Sequence, residues 1–136
     1  MDKRICSILI PYREATAGIL VFLQKRAKDA VRHPDDFGFF GGGMEPGESP
    51  EQALERETWE ELSFKPTGYD FLGVYESAHT IRHVYSLKVE NDFESKIQIN
   101  EGQYGKFFTE QEYQSEPLIT DKDKLILRDF YHLKRT

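Results

Sequence analysis

The 136 residues, 38% hydrophobic and 31% charged, suffice for one domain with one buried core and are too few for two. A formal net charge of −6 argues against a broad basic face for polymeric nucleic acid or an anionic membrane. It leaves room for a small phosphorylated substrate, because a bound divalent cation reverses the local sign.

The opening "RICSILIPYR" and the following "AGILVFLQKR" are β-rich runs around a polar turn at Glu14 to Thr16, which predicts a hairpin. The first apolar run stops at Pro11 and Tyr12 without a small-residue cleavage site, unlike a signal peptide. Cys6 is the single cysteine, so no intrachain disulfide forms, and no run reaches the ~18 apolar residues of a membrane span. A soluble, cytoplasmic single domain over residues 1–136 is expected.

Residues 27–36, "AKDAVRHPDD", form a polar loop, and "FGFF" at 37–40 reads as a short strand entering the glycines. Ser49-Pro50-Glu51-Gln52 then supplies a capping residue, a proline suited to the first turn and a Gln three after the cap. A helix over about 49–62 follows, ahead of Pro66. "YDFLGVYES" and "IRHVYSLKVE" are strand-like and join near Ala78 to Thr80; residues 91–103 read as loop, and "YGKFFT" as a further strand. Thr120 caps a last helix over about 121–134. Strands, helix, strands, helix, without regular βαβ alternation, predict an α+β chain with a mixed sheet between helices, an α/β/α sandwich.

From Glu48 to Leu62 there are six Glu and one base, Arg56. A merely solvated helix face would alternate Glu with Lys, since like charges three or four apart repel. Glu57, Glu60 and Glu61 stand at i, i+3 and i+4, within one arc of ~100° on a helix. Leu54, Thr58 and Leu62 form the adjoining core stripe, and Ala53 leaves room for a loop to approach. Converging carboxylates suit Mg²⁺ or Mn²⁺. Gly41, Gly42, Gly43 and Gly47 let main chain come close to a ligand. Arg56, one turn before Glu60, is placed to orient it.

The segment Gly42 to Phe64 resembles the Nudix box, G-x(5)-E-x(7)-R-E-U-x-E-E-x-G-U, with U aliphatic or bulky apolar. Gly42, Glu48, Arg56-Glu57 and Glu60-Glu61 fill its positions; Thr58 replaces an aliphatic residue and Ser63 the last glycine. The resemblance covers essentially the whole chain. It implies a Nudix fold and hydrolysis of a nucleoside diphosphate linked to another group, with Mg²⁺ or Mn²⁺. Glu57, Glu60, Glu61 and the Gly42 carbonyl would hold the metal, while Glu48 and Arg56 support them. The general base stays open among Glu60, Glu61 and Glu101, a glutamate in the "INEGQY" loop.

Phe37, Phe39, Phe40, Tyr75 and Tyr85 are candidates for stacking a base, although strand aromatics are more often core. Arg82 and His83 are candidates for a phosphate or sugar. The downstream proline of ADP-ribose-type relatives and the lysine-glycine lead-in of dinucleoside polyphosphate hydrolases are both missing. By elimination the expected substrate is a nucleoside triphosphate, oxidised or otherwise modified forms included. A GDP-sugar hydrolase is the alternative, and a non-catalytic Nudix-like sensor the third reading. Neither polymeric nucleic acid nor a membrane is an expected partner; a homodimer stays open.

Overall fold

The computed structural model describes residues 2–136. In chain order these form β1 (Arg4–Ala15), β2 (Gly18–Lys25), β3 (Phe37–Gly38), β4 (Phe40–Gly43), α1 (Pro50–Leu62), β5 (Asp70–Glu76) and β6 (Thr80–Lys88). There follow α2 (Phe93–Lys96), β7 (Tyr104–Phe108), α3 (Glu110–Ser115) and α4 (Asp121–Lys134).

The long strand β1 organises the sheet. It pairs antiparallel with β2 through Tyr12–Ala15 and with β4 through Cys6–Leu9, and runs parallel to β6 on its other edge. The order is β3-β2-β1-β6-β5, with β4 joined to β1 and β7 to β2. One parallel pair among antiparallel ones makes the sheet mixed, as the element order predicts.

Strand alternation divides the core into two layers. Ile8, Ile10, Val21 and Val84 face Ile126, Leu127 and Phe130 of α4. Leu9, Phe22, Phe40 and Tyr85 face Leu54 and Leu62 of α1. Both α1 leucines are fully buried, each contributing about 1.5–3 kcal/mol before chain entropy is counted. The α+β, helix–sheet–helix class holds. Among the described residues no helix is long and apolar enough to cross a membrane.

Four local expectations need correction. The hairpin turns at Thr16-Ala17, because Ala15 still pairs with Gly18, whose φ of 127° closes the two-residue loop. "FGFF" splits at Phe39 into β3 and β4, since the chain leaves β2 to pair with β1. Gly41, Gly42 and Gly43 are thus strand residues, while Gly47 lies in the turn before α1. The 91–103 segment contains α2, seated by buried Phe93. A third helix, α3, follows β7, started by a capping box between Thr109 and Glu112.

Candidate active site

α1 begins as its first four residues dictate. The Ser49 side chain accepts from the Gln52 N–H, and the Gln52 side chain accepts from the Ser49 N–H. Its buried stripe includes Ala53, Leu54, Thr58 and Leu62 and pins the helix against β4 and β1. That stripe fixes the azimuth of the glutamates.

Glu61 lies on the buried side, 4% exposed, and accepts the Gly41 N–H at 2.7 Å. Gly41 sits at φ 125°, where backbone of Ser7 and Ile8 fills the space a Cβ would take. Burial pushes the Glu61 carboxyl up to about 9; the Gly41 N–H opposes this, and the charges of Glu101 and Glu57 add to it. Glu57 also titrates above its ordinary value, chiefly through burial and against Arg56. Its carboxylate rests on Gly42 so closely that a Cβ there would lie 2.6 Å from Cδ and 2.7 Å from both oxygens.

Arg56 ties the acidic groups together. Its Nε donates to Glu48 at 2.7 Å and Nη2 donates to Glu48 and to the Gly43 carbonyl, both at 3.0 Å. Nη1 donates to Glu57 at 3.1 Å and Glu60 at 3.3 Å. These bonds raise the Arg56 pKa and hold the Glu48 carboxyl down at about 2. A carboxyl depressed by its partner lends stability above its unfolded pKa, and that stability goes as pH falls through the folded value. Acid unfolding of the wild type should therefore steepen between about pH 4.5 and pH 2. Glu48→Gln should lower the neutral-pH melting temperature and flatten this arm, as followed by circular dichroism; an unchanged acid arm would contradict the pairing.

Glu101 reaches the site by way of the α1 C-terminus. The Gln98 and Asn100 N–H groups donate to the Leu62 and Glu61 carbonyls, and Asn100 Nδ2 donates to the Glu60 carbonyl. These bonds satisfy carbonyls that a helix end otherwise leaves unpaired. The loop is clamped to the end of α1, and exposed Glu101 stands within range of the Glu57 and Glu61 charges.

A cavity of about 1030 Å³ opens between β4, α1 and the start of α4, bordered by Gly42, Glu57, Glu61, Glu101 and Arg82. Other sequence candidates lie elsewhere. Glu60 is about half exposed, stands outside the cavity lining and is turned to Arg56. Tyr85 is buried on the α1 face and donates to Glu51, because alternation from Val84 turns it away. Phe40 is buried there too. Phe37 and Phe39 border the cavity but are core residues, 5% and 7% exposed. Their rings meet Lys25 at 4.8 Å and Arg82 at 5.9 Å. Tyr75 donates to Asp129, and His83 lies outside the cavity. Arg82 donates to Asp123 at 2.7 Å.

Among the described residues no three acidic, His or Cys side chains are arranged as a ready metal cluster. The expected convergence of three carboxylates is thus only partly met: Glu57 and Glu61 share the cavity and Glu60 does not. The donors nonetheless fit Mg²⁺ or Mn²⁺. They are all oxygens, two carboxylates beside a backbone that Gly42 leaves open, and Mg²⁺ is ordinarily held by one or two carboxylates with substrate phosphates and water.

The family model for the NUDIX domain matches residues 2–130. The chain belongs to the NUDIX family. Its Nudix box keeps every glutamate, and its two departures are legible in the structure. Thr58 is fully buried with its hydroxyl unpartnered, and Ser63 takes the left-handed conformation, φ 51°, that glycine adopts more easily. Human diphosphoinositol polyphosphate phosphohydrolase 3-alpha is 35% identical over 94 residues, 61% of this chain and 57% of that protein. The mouse 3-beta form is 34% identical over the same shares. This NUDIX chain thus spans less than two thirds of the length of the curated relatives it matches. Among solved structures, a MutT protein from Methanosarcina mazei Go1 superposes with a TM-score of 0.78 at 16% identity, covering 100% of this chain and 99% of that one. A C. elegans Ap4A hydrolase gives 0.76 at 20%, covering 97% and 98%. At these identities the likeness concerns the fold.

Sequence reasoning missed the cationic wall of the cavity, formed by Arg4, Arg26, Arg32 and Lys122. No pattern links a strand start, a strand end, a loop and a helix N-terminus; only the fold assembles them.

Proposed function

We propose that this chain hydrolyses a phosphoanhydride of a diphosphate-linked substrate with a divalent metal, a nucleoside triphosphate being the leading candidate and a nucleotide sugar the alternative. The observation that carries the reading is the pairing of Glu57 with Cβ-less Gly42 and of Glu61 with the Gly41 N–H, at the edge of one large cavity. When bound there, Mg²⁺ or Mn²⁺ would neutralise phosphate charge and acidify a water. The chain's own groups do the rest. Glu57 and Glu61 supply ligand oxygens, and Gly42 offers its carbonyl. Arg56 fixes Glu57 and Glu60 through Nη1, and the Glu101 carboxylate, exposed at the cavity, takes the proton of the attacking water.

The names of the relatives and neighbours above widen the panel worth testing to diphosphorylated inositol polyphosphates and dinucleoside polyphosphates. Incubation of that panel, with nucleoside triphosphates and nucleotide sugars, in Mg²⁺ or Mn²⁺ and with products separated by ion-exchange chromatography, decides. Monophosphate plus pyrophosphate from a nucleoside triphosphate is the expected result. Release of free sugar would favour the alternative, and binding without turnover would favour a sensor.

A further inference from the structure

Besides the carboxylates of Glu57, Glu61 and Glu101, the cavity is lined by Arg4, Arg26, Arg32 and Lys122, none of which has a carboxylate partner among the described residues. Arg82 pairs with Asp123, and of the other aspartates in the lining Asp36 lies 3.8 Å from His33 and Asp121 has no ion-pair partner among the described residues, so four unpaired cations share the lining with two aspartates. The net charge of −6 makes an uncompensated cationic wall a local arrangement and not a bulk property.

Three of the arginines are tied to neighbouring parts of the wall. Arg4 Nη1 donates to Cys6 Sγ at 3.0 Å, and a Cβ on Gly43 would lie 3.4 Å from Arg4 Nε and Nη2. Arg4 therefore sits beside the glycine strand, one residue from Gly42. Arg26 Nε donates to the Arg32 carbonyl at 2.8 Å, which joins the end of β2 to the 27–36 loop.

Among the described residues, the Phe, Tyr and Trp lining of the cavity consists of Phe37 and Phe39, both buried and facing cations. Planar guanidiniums without carboxylate partners suit phosphate oxygens, which they bind in pairs of charge-assisted hydrogen bonds.

We propose that Arg4, Arg26 and Arg32 form a cradle for a phosphate beyond the diphosphate handled at Glu57 and Glu61. The chain then selects substrates with a third phosphate over diphosphates whose second half is an uncharged sugar. This rests on the phosphoanhydride reading above and names the substrate class within it.

The test compares wild type, Arg4→Ala/Arg32→Ala and Arg4→Lys/Arg32→Lys, each checked for cooperative melting. Arg4 and Arg32 are exposed, so folding should survive. The ratio of kcat/KM for a nucleoside triphosphate over a nucleoside diphosphate sugar should fall at least ~10-fold in the alanine double variant, mainly through KM, with partial recovery in the lysine variant. An unchanged ratio overturns the cradle while leaving the hydrolase intact. If wild type cleaves neither compound, the nucleoside triphosphate and nucleotide sugar readings fail, and calorimetry with inorganic tripolyphosphate in metal-free buffer still tests the cradle. Binding weakened ~10-fold in the alanine variant supports it; equal binding, or none by wild type, overturns it.

Discussion

Glu57→Gln and Glu61→Gln are each expected to lower kcat at least ~100-fold, the lower range for losing metal or acid–base help. Both side chains border the cavity, and both lose an ionisable carboxyl while keeping their size. The loss should be chemical and not a failure to fold. In Glu61→Gln the new amide oxygen can still accept the Gly41 N–H. The Glu61 carboxyl titrates at about 9, above its ordinary 4.5, so the metal-free fold is destabilised as pH rises from about 4.5 towards 9. In chelator at neutral pH, Glu61→Gln should accordingly melt at or above the wild-type temperature. Glu60→Gln, turned to Arg56 outside the cavity, should cost about 10-fold, the low end for a group that supports a metal ligand. Glu101→Gln should reduce kcat with little change in KM, the signature of a contact made in the transition state. Full turnover in the Glu57 and Glu61 variants would remove the proposed centre, and full kcat in Glu101→Gln would return the base to α1.

The second large effect is expected from one methyl group. Gly42→Ala places a Cβ 2.6 to 2.7 Å from the Glu57 carboxylate, inside any tolerated contact. The obstruction is the far end of a flexible side chain, so the strand can stay paired while Glu57 swings off the Gly42 backbone. Metal affinity and kcat/KM should drop by ~10- to 100-fold, the scale of disturbing a group that orients a metal ligand. The melting temperature without metal should move by only a few degrees, about what ~1 kcal/mol does in a domain of this size. Gly43→Ala is the matched control, because its Cβ would only approach Arg4 at 3.4 Å. Isothermal titration with Mn²⁺ reads the difference, and equal affinity in both variants would show that the Glu57–Gly42 contact is not part of a metal site.

How much of this was legible in the chain depends on whether the cause is local. The start of α1 needs only four consecutive residues, Ser49 to Gln52, and its buried stripe needs only helical spacing, so both could be read directly. The α3 capping box at Thr109 and Glu112 carries the same signal in shorter form, and its helix is only six residues long. Period-2 alternation marks β6 as a strand but is silent on which of two covered faces meets the site. Tyr85 therefore stood among the binding candidates although it packs under α1. Glu60 fell outside the cavity for a related reason: an arc of carboxylates defines a helix face, while the centre of the cavity is set by β4 and the clamped 97–103 loop. The cationic wall depends wholly on tertiary assembly, bringing residues 4, 26 and 32 together with 122.

The central claim, metal-dependent attack of water on a phosphoanhydride at the Glu57–Glu61–Gly42 edge, is tested most directly by ³¹P NMR of a nucleoside triphosphate digest in ¹⁸O-enriched water, with Mg²⁺ and again with excess chelator. Cleavage with one ¹⁸O in a single phosphate product is expected when Mg²⁺ is present, with none in chelator and at least ~100-fold slower cleavage with Glu61→Gln. Equal cleavage in chelator, or in Glu61→Gln with Mg²⁺, would contradict it.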